Sequence, residues 1–286
     1  MQSTGEFTWK NFFNRLYDRS FDADVFSRAA QVAFYFSFAL FPLLYFLVSL
    51  FGLILVSSEG LKSELFVYLN RLMPTAVFNL VKTTVDEIVV NSTGGKATIG
   101  LLVTLWSASA GVDAIRNALN DVYKIRDSRY WWRTKAQSVV LTFVFSILAT
   151  VVVGGVFYGW QLVQYLLAGL GLEVTSPFIL VTIQWISIVL LMLLVSEIIY
   201  NLLPDFKTIR WVWISPGSIV SILLWIFLTG GFRIYLGYFN SYDRTYGSLG
   251  AVIIMMLWLY LTALTLLIGG AINSVLADLN KTDVPE

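Results

Sequence analysis

Histidine and cysteine are both absent from these 286 residues. The first absence removes the commonest general base, the usual metal ligand and the usual proton relay. The second removes disulfide frameworks and thiolate chemistry. Charge is scarce as well: Asp, Glu, Lys and Arg make up 13% of the chain, and the formal net charge is +1. A nucleic-acid partner would call for a basic face, so none is expected. No metal-spaced cluster and no G-x-x-x-x-G-K-[ST] run is present, so neither a metal, nor another cofactor, nor a nucleotide-driven motor is expected, and enzyme activity is not. The N-terminal stretch has no basic region followed by an apolar one, so the first spanning helix is expected to act as the insertion signal.

What the chain has instead is apolar length. Hydrophobic residues make up 57% of it, above the 45–50% or so of a typical soluble domain. The expected fold class is all-α: a polytopic membrane protein in a single membrane domain. Six transmembrane helices are predicted at 31–56, 97–122, 136–166, 177–203, 211–238 and 247–276. Residues 7–28 are read as a cytoplasmic interfacial segment, because Trp9, Phe12, Phe13, Leu16 and Tyr17 share one face of its helix. Residues 57–95 are too polar to span. They form an expected two-helix cap, with stripes Leu61, Leu65, Leu69, Leu72 and Val77, Val81, Val85, Ile88, Val89. Pro42 lies inside the first span and is expected to kink it.

An even number of spans puts both termini on one side of the membrane. That side carries Lys10, Arg15, Arg19, Arg28, Lys124, Arg126, Arg129, Arg133, Lys135, Lys207, Arg210 and Lys281. The other carries Lys62, Arg71, Lys82, Lys96 and Arg244. The positive-inside rule makes the first side cytoplasmic and the cap extracytoplasmic.

The second span is the least oily. On a helical projection Leu101, Leu105, Ala108, Val112, Ile115 and Leu119 form an apolar face. Ser107, Gly111, Ala114 and Ala118 form a small-residue strip for close helix approach. Trp106, Ser109, Asp113, Arg116, Asn117 and Asn120 form a polar strip. Lipid cannot satisfy those groups, so the strip faces protein or a wet cavity. Either it holds helices together or it lines a functional cavity.

Two candidate sites follow. Asp113 and Arg116 can pair across three residues. Glu197, on the fourth span, is expected at similar depth, with Asn117 and Asn120 nearby and Arg28 opening the first span. This cluster is either a structural ion-pair network or a head-group site or gate, and Arg28 alone is either a snorkelling anchor or a ligand. At the opposite mouth Arg233, Arg244 and Tyr246 are phosphate-binding candidates, or interface anchors in the case of the tyrosine.

Several stretches resemble one family: Arg28-Ala-Ala-Gln-Val-Ala-Phe-Tyr-Phe-Ser-Phe-Ala-Leu-Phe-Pro42, Leu105-Trp-Ser-Ala-Ser-Ala-Gly-Val-Asp-Ala-Ile-Arg-Asn-Ala-Leu-Asn120, Leu202-Leu-Pro204 and Tyr246-Gly-Ser-Leu-Gly-Ala-Val-Ile-Ile-Met-Met-Leu-Trp-Leu-Tyr260. Their order and spacing are similar to the YihY/BrkB family of bacterial inner-membrane proteins, once labelled ribonuclease BN. The resemblance implies a six-span envelope protein and a transporter or flippase-like role with lipid-type, amphipathic molecules. Membrane lipids are the partners it implies, and nothing indicates an oligomer. A scaffold for envelope assembly is the alternative, and an ion channel is weaker because no filter loop or ring of acids is visible. The family's last helix often reads Gly-Ala-Glu near its end. Here the run is Gly269-Gly270-Ala271, so no role of that glutamate carries over.

Overall fold

The computed structural model describes residues 8–55, 97–168, 177–207, 211–238 and 248–282, together with positions 66, 67, 70, 75, 78, 79, 82 and 83. Seven helices are described and no strand occurs among these residues: α1 (Trp9–Asp22), α2 (Val25–Leu55), α3 (Ala97–Val122), α4 (Trp131–Ala168), α5 (Pro177–Leu202), α6 (Pro216–Tyr238) and α7 (Ser248–Thr282). Among the described residues, four segments are long and apolar enough to cross a membrane: Trp131–Val151, Trp185–Leu202, Pro216–Tyr238 and Gly250–Leu279. They fall on the last four expected spans. Val25–Leu40 is a shorter apolar segment. The polar residues of α3 dilute its hydropathy, although the helix itself is continuous over the expected range.

Several boundaries differ from expectation for local reasons. Within the 7–28 segment the helix, expected to end by a break at Ser20–Asp24, runs on to Asp22 and breaks at Ala23–Asp24, so α2 starts at Val25 and Arg28 lies inside its first turn. Pro42 lies within the continuous α2. Helix α4 starts at Trp131, taking in residues read as loop. Helix α6 starts at Pro216, not at Trp211. Proline suits the first helical position because the N–H it lacks would have had no intrahelical partner.

The chain divides into two compact units. The first comprises Met1–Phe38, Ala110–Ser138 and Leu193–Glu286. In it the lower part of α3 buries Val112, Ile115, Ala118, Leu119 and Val122, the continuation of the apolar and small-residue strips read from sequence. At Gly111 an added Cβ would meet the Phe36 ring at 2.8 Å, so α2 and α3 approach closely there. Helix α1 packs on α7, where Phe12 and Leu16 join Ile272, Val275 and Leu279. Arg19 fastens this contact. It donates to the Val122 carbonyl at 3.1 Å, to Asp278 at 2.6 Å and to the Ser274 hydroxyl. The aromatic face expected on α1 is therefore divided. Phe12 docks inward, while Trp9, Phe13 and Tyr17 remain exposed.

The second unit comprises Ala39–Ser109 and Val139–Met192. Leu105, Ala108, Ser109, Leu141, Thr142 and Ser146 are buried in it. Ser146 and Thr150 return their hydroxyl hydrogens to carbonyls four residues back, which satisfies them without a partner helix. The two leucine and valine stripes expected for the cap lie outside the described residues. The Phe66 and Phe78 rings meet edge to face at 6.1 Å.

Two turns in the first unit hold non-glycine residues in the left-handed region: Asp24 at φ 50° and Lys124 at φ 55°. Lys124 closes α3 in a Schellman arrangement. Its N–H reaches the Asp121 carbonyl at 3.0 Å, and the Ile125 N–H reaches the Asn120 carbonyl at 2.8 Å. Glycine is the relaxed choice at such a position. Lys124→Gly is therefore expected to stabilise the protein by about 1 kcal/mol, read as a higher melting temperature in detergent. A lower melting temperature would show that the Lys124 side chain outweighs the backbone cost.

Candidate functional site

Arg116 is the hub of a buried polar network in the first unit. It sits on the buried side of α3, two turns before the helix ends, where a long side chain reaches the start of α4. One terminal nitrogen donates to Asp113 at 2.7 Å, to the Thr134 carbonyl at 3.0 Å and to the Ser138 hydroxyl at 2.9 Å. The other reaches the Asn117 amide oxygen at 3.2 Å. The buried Nε makes no hydrogen bond and faces the Asp127 carboxylate at 3.6 Å as an ion pair. Lys135 takes the second Asp113 oxygen at 2.8 Å.

The loop after α3 extends the network. Arg129 grips Asp127 with two nitrogens, at 2.9 and 2.8 Å, and also reaches Gln137 at 2.6 Å and the Leu203 carbonyl at 3.2 Å. Asp205 accepts from the Ser128 N–H and hydroxyl, both at 2.8 Å, and its own N–H donates to Asn120 at 3.0 Å. Asn120 in turn donates to Asp127 at 3.1 Å. Three acids (Asp113, Asp127, Asp205) thus face three bases (Arg116, Arg129, Lys135), and the charges balance.

The Arg129 hydrogen bond holds the Asp127 carboxyl below the usual carboxylate range. A depressed folded value means the contribution is complete above the unfolded value, about 3.9, and is lost as pH falls through the folded one. Thermal stability in detergent is expected to fall on acidification below about pH 4, and Asp127→Asn is expected to flatten part of that fall. An identical acid limb in the variant would refute the assignment.

Glu197 does not join this network, contrary to the sequence reading. It is 1% exposed, and its carboxylate accepts from the Ser215 N–H at 2.6 Å and from the Asn201 amide at 3.1 Å. Its neighbours hold the same turn. Asn273 of α7 accepts from the Gly217 N–H at 2.8 Å and donates to the Ser215 hydroxyl at 2.9 Å. Asn201 accepts from the Val212 N–H at 3.3 Å. These side chains satisfy the free N–H groups at the start of α6, and a negative charge suits the positive end of a helix. The direction in which Glu197 points was not readable from sequence.

Arg28 is also separate. It pairs with Asp121 at 2.6 Å and donates to Gln31 at 2.9 Å. It lines an open cleft of about 550 Å³ with Asp22, Asp24, Asp121, Lys124 and Arg126. A smaller cleft of about 290 Å³, bounded by Arg15, Arg19 and Asp278, shares Asp22 and Lys124 with it. The 3.0 Å contact between those two side chains lies where the clefts meet. From the cleft, the exposed face of α2 continues through Gln31 to Phe34, Tyr35 and Phe38. Arg233 is exposed on α6, while Arg244 and Tyr246 lie outside the described residues. Asn117 is exposed and Asn120 buried. Among the described residues no three acidic side chains converge to hold a metal ion.

Sequence reading missed Asp127, Arg129, Lys135 and Asp205 as site residues. Arg129 and Lys135 entered only as charges setting topology. The one local signal was Asp127-Ser-Arg129, a pairing within a single turn.

Comparison with known proteins places the chain. The family model described as Virulence factor BrkB matches residues 16–285. A relative named as ribonuclease-like, YfkH of Bacillus subtilis (strain 168), is 27% identical over 274 residues, covering 95% of this chain and 97% of its own. A UPF0761 membrane protein of Tolumonas auensis is 26% identical over 68% of this chain, and one of Xanthomonas oryzae pv. oryzae 24% identical over 96% of it. The chain spans 63% and 61% of the length of those two. No solved structure matches.

Proposed function

Because the chain belongs to the BrkB virulence-factor family and resembles UPF0761 membrane proteins, we propose that it carries lipid-type, amphipathic envelope molecules between the leaflets of a bacterial inner membrane. In this reading it has six spans, both termini in the cytoplasm and the 57–95 cap outside, and it catalyses no covalent chemistry. Exposed Trp131, Trp132 and Trp213 flank the buried network in the sequence, as rings at a membrane interface do. In this reading the network lies at head-group level on the cytoplasmic side.

One observation carries the transport reading. Arg28 and Gln31 line an open cleft, and Phe34, Tyr35 and Phe38 stand exposed on the same side of α2 one to two turns further on. A polar foot below an aromatic wall matches a molecule with a charged head and an apolar tail. The Arg116 network serves a different purpose: its charges are neutralised from within, so it supports the frame and leaves the exposed cleft to take the head group. At the other mouth Arg233, Arg244 and Tyr246 remain the binding candidates.

The test uses purified protein in liposomes carrying an acyl-labelled lipid, with a membrane-impermeant quencher added outside. Transport predicts loss of more signal than the outer leaflet holds, and a rate several-fold lower for a folded Arg28→Glu protein. Signal loss equal to that of protein-free vesicles would remove the transport reading. It would favour a non-transporting scaffold, a role to which the self-neutralised network is equally suited.

A further inference from the structure

The cleft at the foot of α2 and α3 is not simply basic. Arg28, Lys124 and Arg126 are matched by Asp22, Asp24 and Asp121 around one opening of about 550 Å³. A lone anion entering it would leave three carboxylates facing like charge, and a lone cation would do the same to the bases. A ligand carrying both charges relieves both.

The pairs already present are suited to exchange. In Arg28–Asp121 the side chains are 36% and 41% exposed, and in Lys124–Asp22 they are 55% and 60% exposed. Pairs this wet contribute little to stability, so a ligand can replace either partner at small cost. Arg116 and Arg129, by contrast, are tied into several bonds apiece and are not free to re-pair. Both left-handed non-glycine residues of the described chain, Asp24 and Lys124, line this cleft, one acid and one base.

From this we infer that the cleft is a binding site for a zwitterionic head group that joins a phosphate to an ammonium. Lys124, Arg126 and Arg28 hold the phosphate, and Asp22, Asp24 and Asp121 hold the ammonium. The assignment rests on the amphipathic-substrate reading and names the head group for it.

Calorimetric titration of the full-length protein in detergent tests it, with three probes: dihexanoyl phosphatidylethanolamine, dihexanoyl phosphatidylglycerol and free phosphorylethanolamine. The ethanolamine lipid is expected to bind at least tenfold tighter than the glycerol lipid. Asp121→Asn and Arg126→Gln are each expected to weaken it about tenfold. Arg126 is exposed, so its substitution leaves the fold intact. Free phosphorylethanolamine binding as well as the lipid would identify a soluble source for the same chemistry, and weaker binding a lipid source. Both outcomes support the head-group assignment. Equal or tighter binding of the glycerol lipid, no binding of either ethanolamine probe, or binding unchanged in both variants would overturn it. Lipid movement in liposomes is scored separately. Movement without ethanolamine selectivity sinks this assignment alone, whereas selective binding without movement sinks the transport reading alone.

Discussion

An Arg116→Met protein is expected to lose about 3–5 kcal/mol of stability, the cost of removing one partner from a buried ion pair. Methionine fills much of the volume, so the loss is electrostatic. Asp127 loses the guanidinium at 3.6 Å and keeps Arg129, and Asp113 keeps Lys135 at 2.8 Å. The Thr134 carbonyl and the Ser138 hydroxyl lose the Arg116 donor as well. Lys135→Met is expected to cost less, because Asp113 keeps the guanidinium at 2.7 Å. Adding Asp113→Leu to Arg116→Met is expected to deepen the loss, since it takes from Lys135 the carboxylate at 2.8 Å. Melting curves in detergent, followed by tryptophan fluorescence, give all three values. A loss below about 1 kcal/mol for Arg116→Met would mean that water screens the network.

Gly269→Val is expected to cost more than about 3 kcal/mol, beyond the usual range for overpacking, because a backbone must move. Helices α6 and α7 pack together, and Gly217 and Gly269 form their closest approach. A Cβ built on either glycine would strike the carbonyl oxygen of the other, and on Gly269 it would also meet the Tyr200 hydroxyl. Separating the helices would break the Gly217–Asn273 hydrogen bond at 2.8 Å, and a side chain on Gly269 would push the Tyr200 hydroxyl of α5 off the Leu266 carbonyl, also 2.8 Å away. Gly230 and Gly231 provide the control. A Cβ there meets nothing within 4 Å, so alanine at either position is expected to be neutral or to stabilise α6 by about 0.5–1 kcal/mol. Size-exclusion profiles of purified protein separate the cases: aggregation for the valine variant, a monodisperse peak for the alanine ones. A monodisperse, thermally unchanged Gly269→Val protein would refute the close crossing.

What could be read from the sequence was what lies along a single helix. Asp113 and Arg116 pair as their spacing requires, and the apolar face of α3 is buried wherever its side chains are described. Helical periodicity carries that information directly. Contacts between helices were not legible, because periodicity gives the face of each helix but not which face meets which. Hence Lys135 and Asp205 were missed, and Glu197 was placed beside Arg116 when it turns instead to the start of α6. The end of α6 shows the opposite case. Pro216 marked the true helix start, but the apolar run Trp211–Ser215 was read as its first turns.

The way α6 begins also bears on how the chain is made. Its first N–H groups find their acceptors on Glu197, synthesised before it, and on Asn273, synthesised more than fifty residues after it. Until the ribosome has delivered most of α7, the Asn273 acceptor does not exist, and the Gly217 N–H lacks the partner it has in the folded chain. A chain stopped short of Asn273 is therefore expected to hold the first turn of α6 less firmly than the finished one, because both contacts of that side chain with the turn are missing.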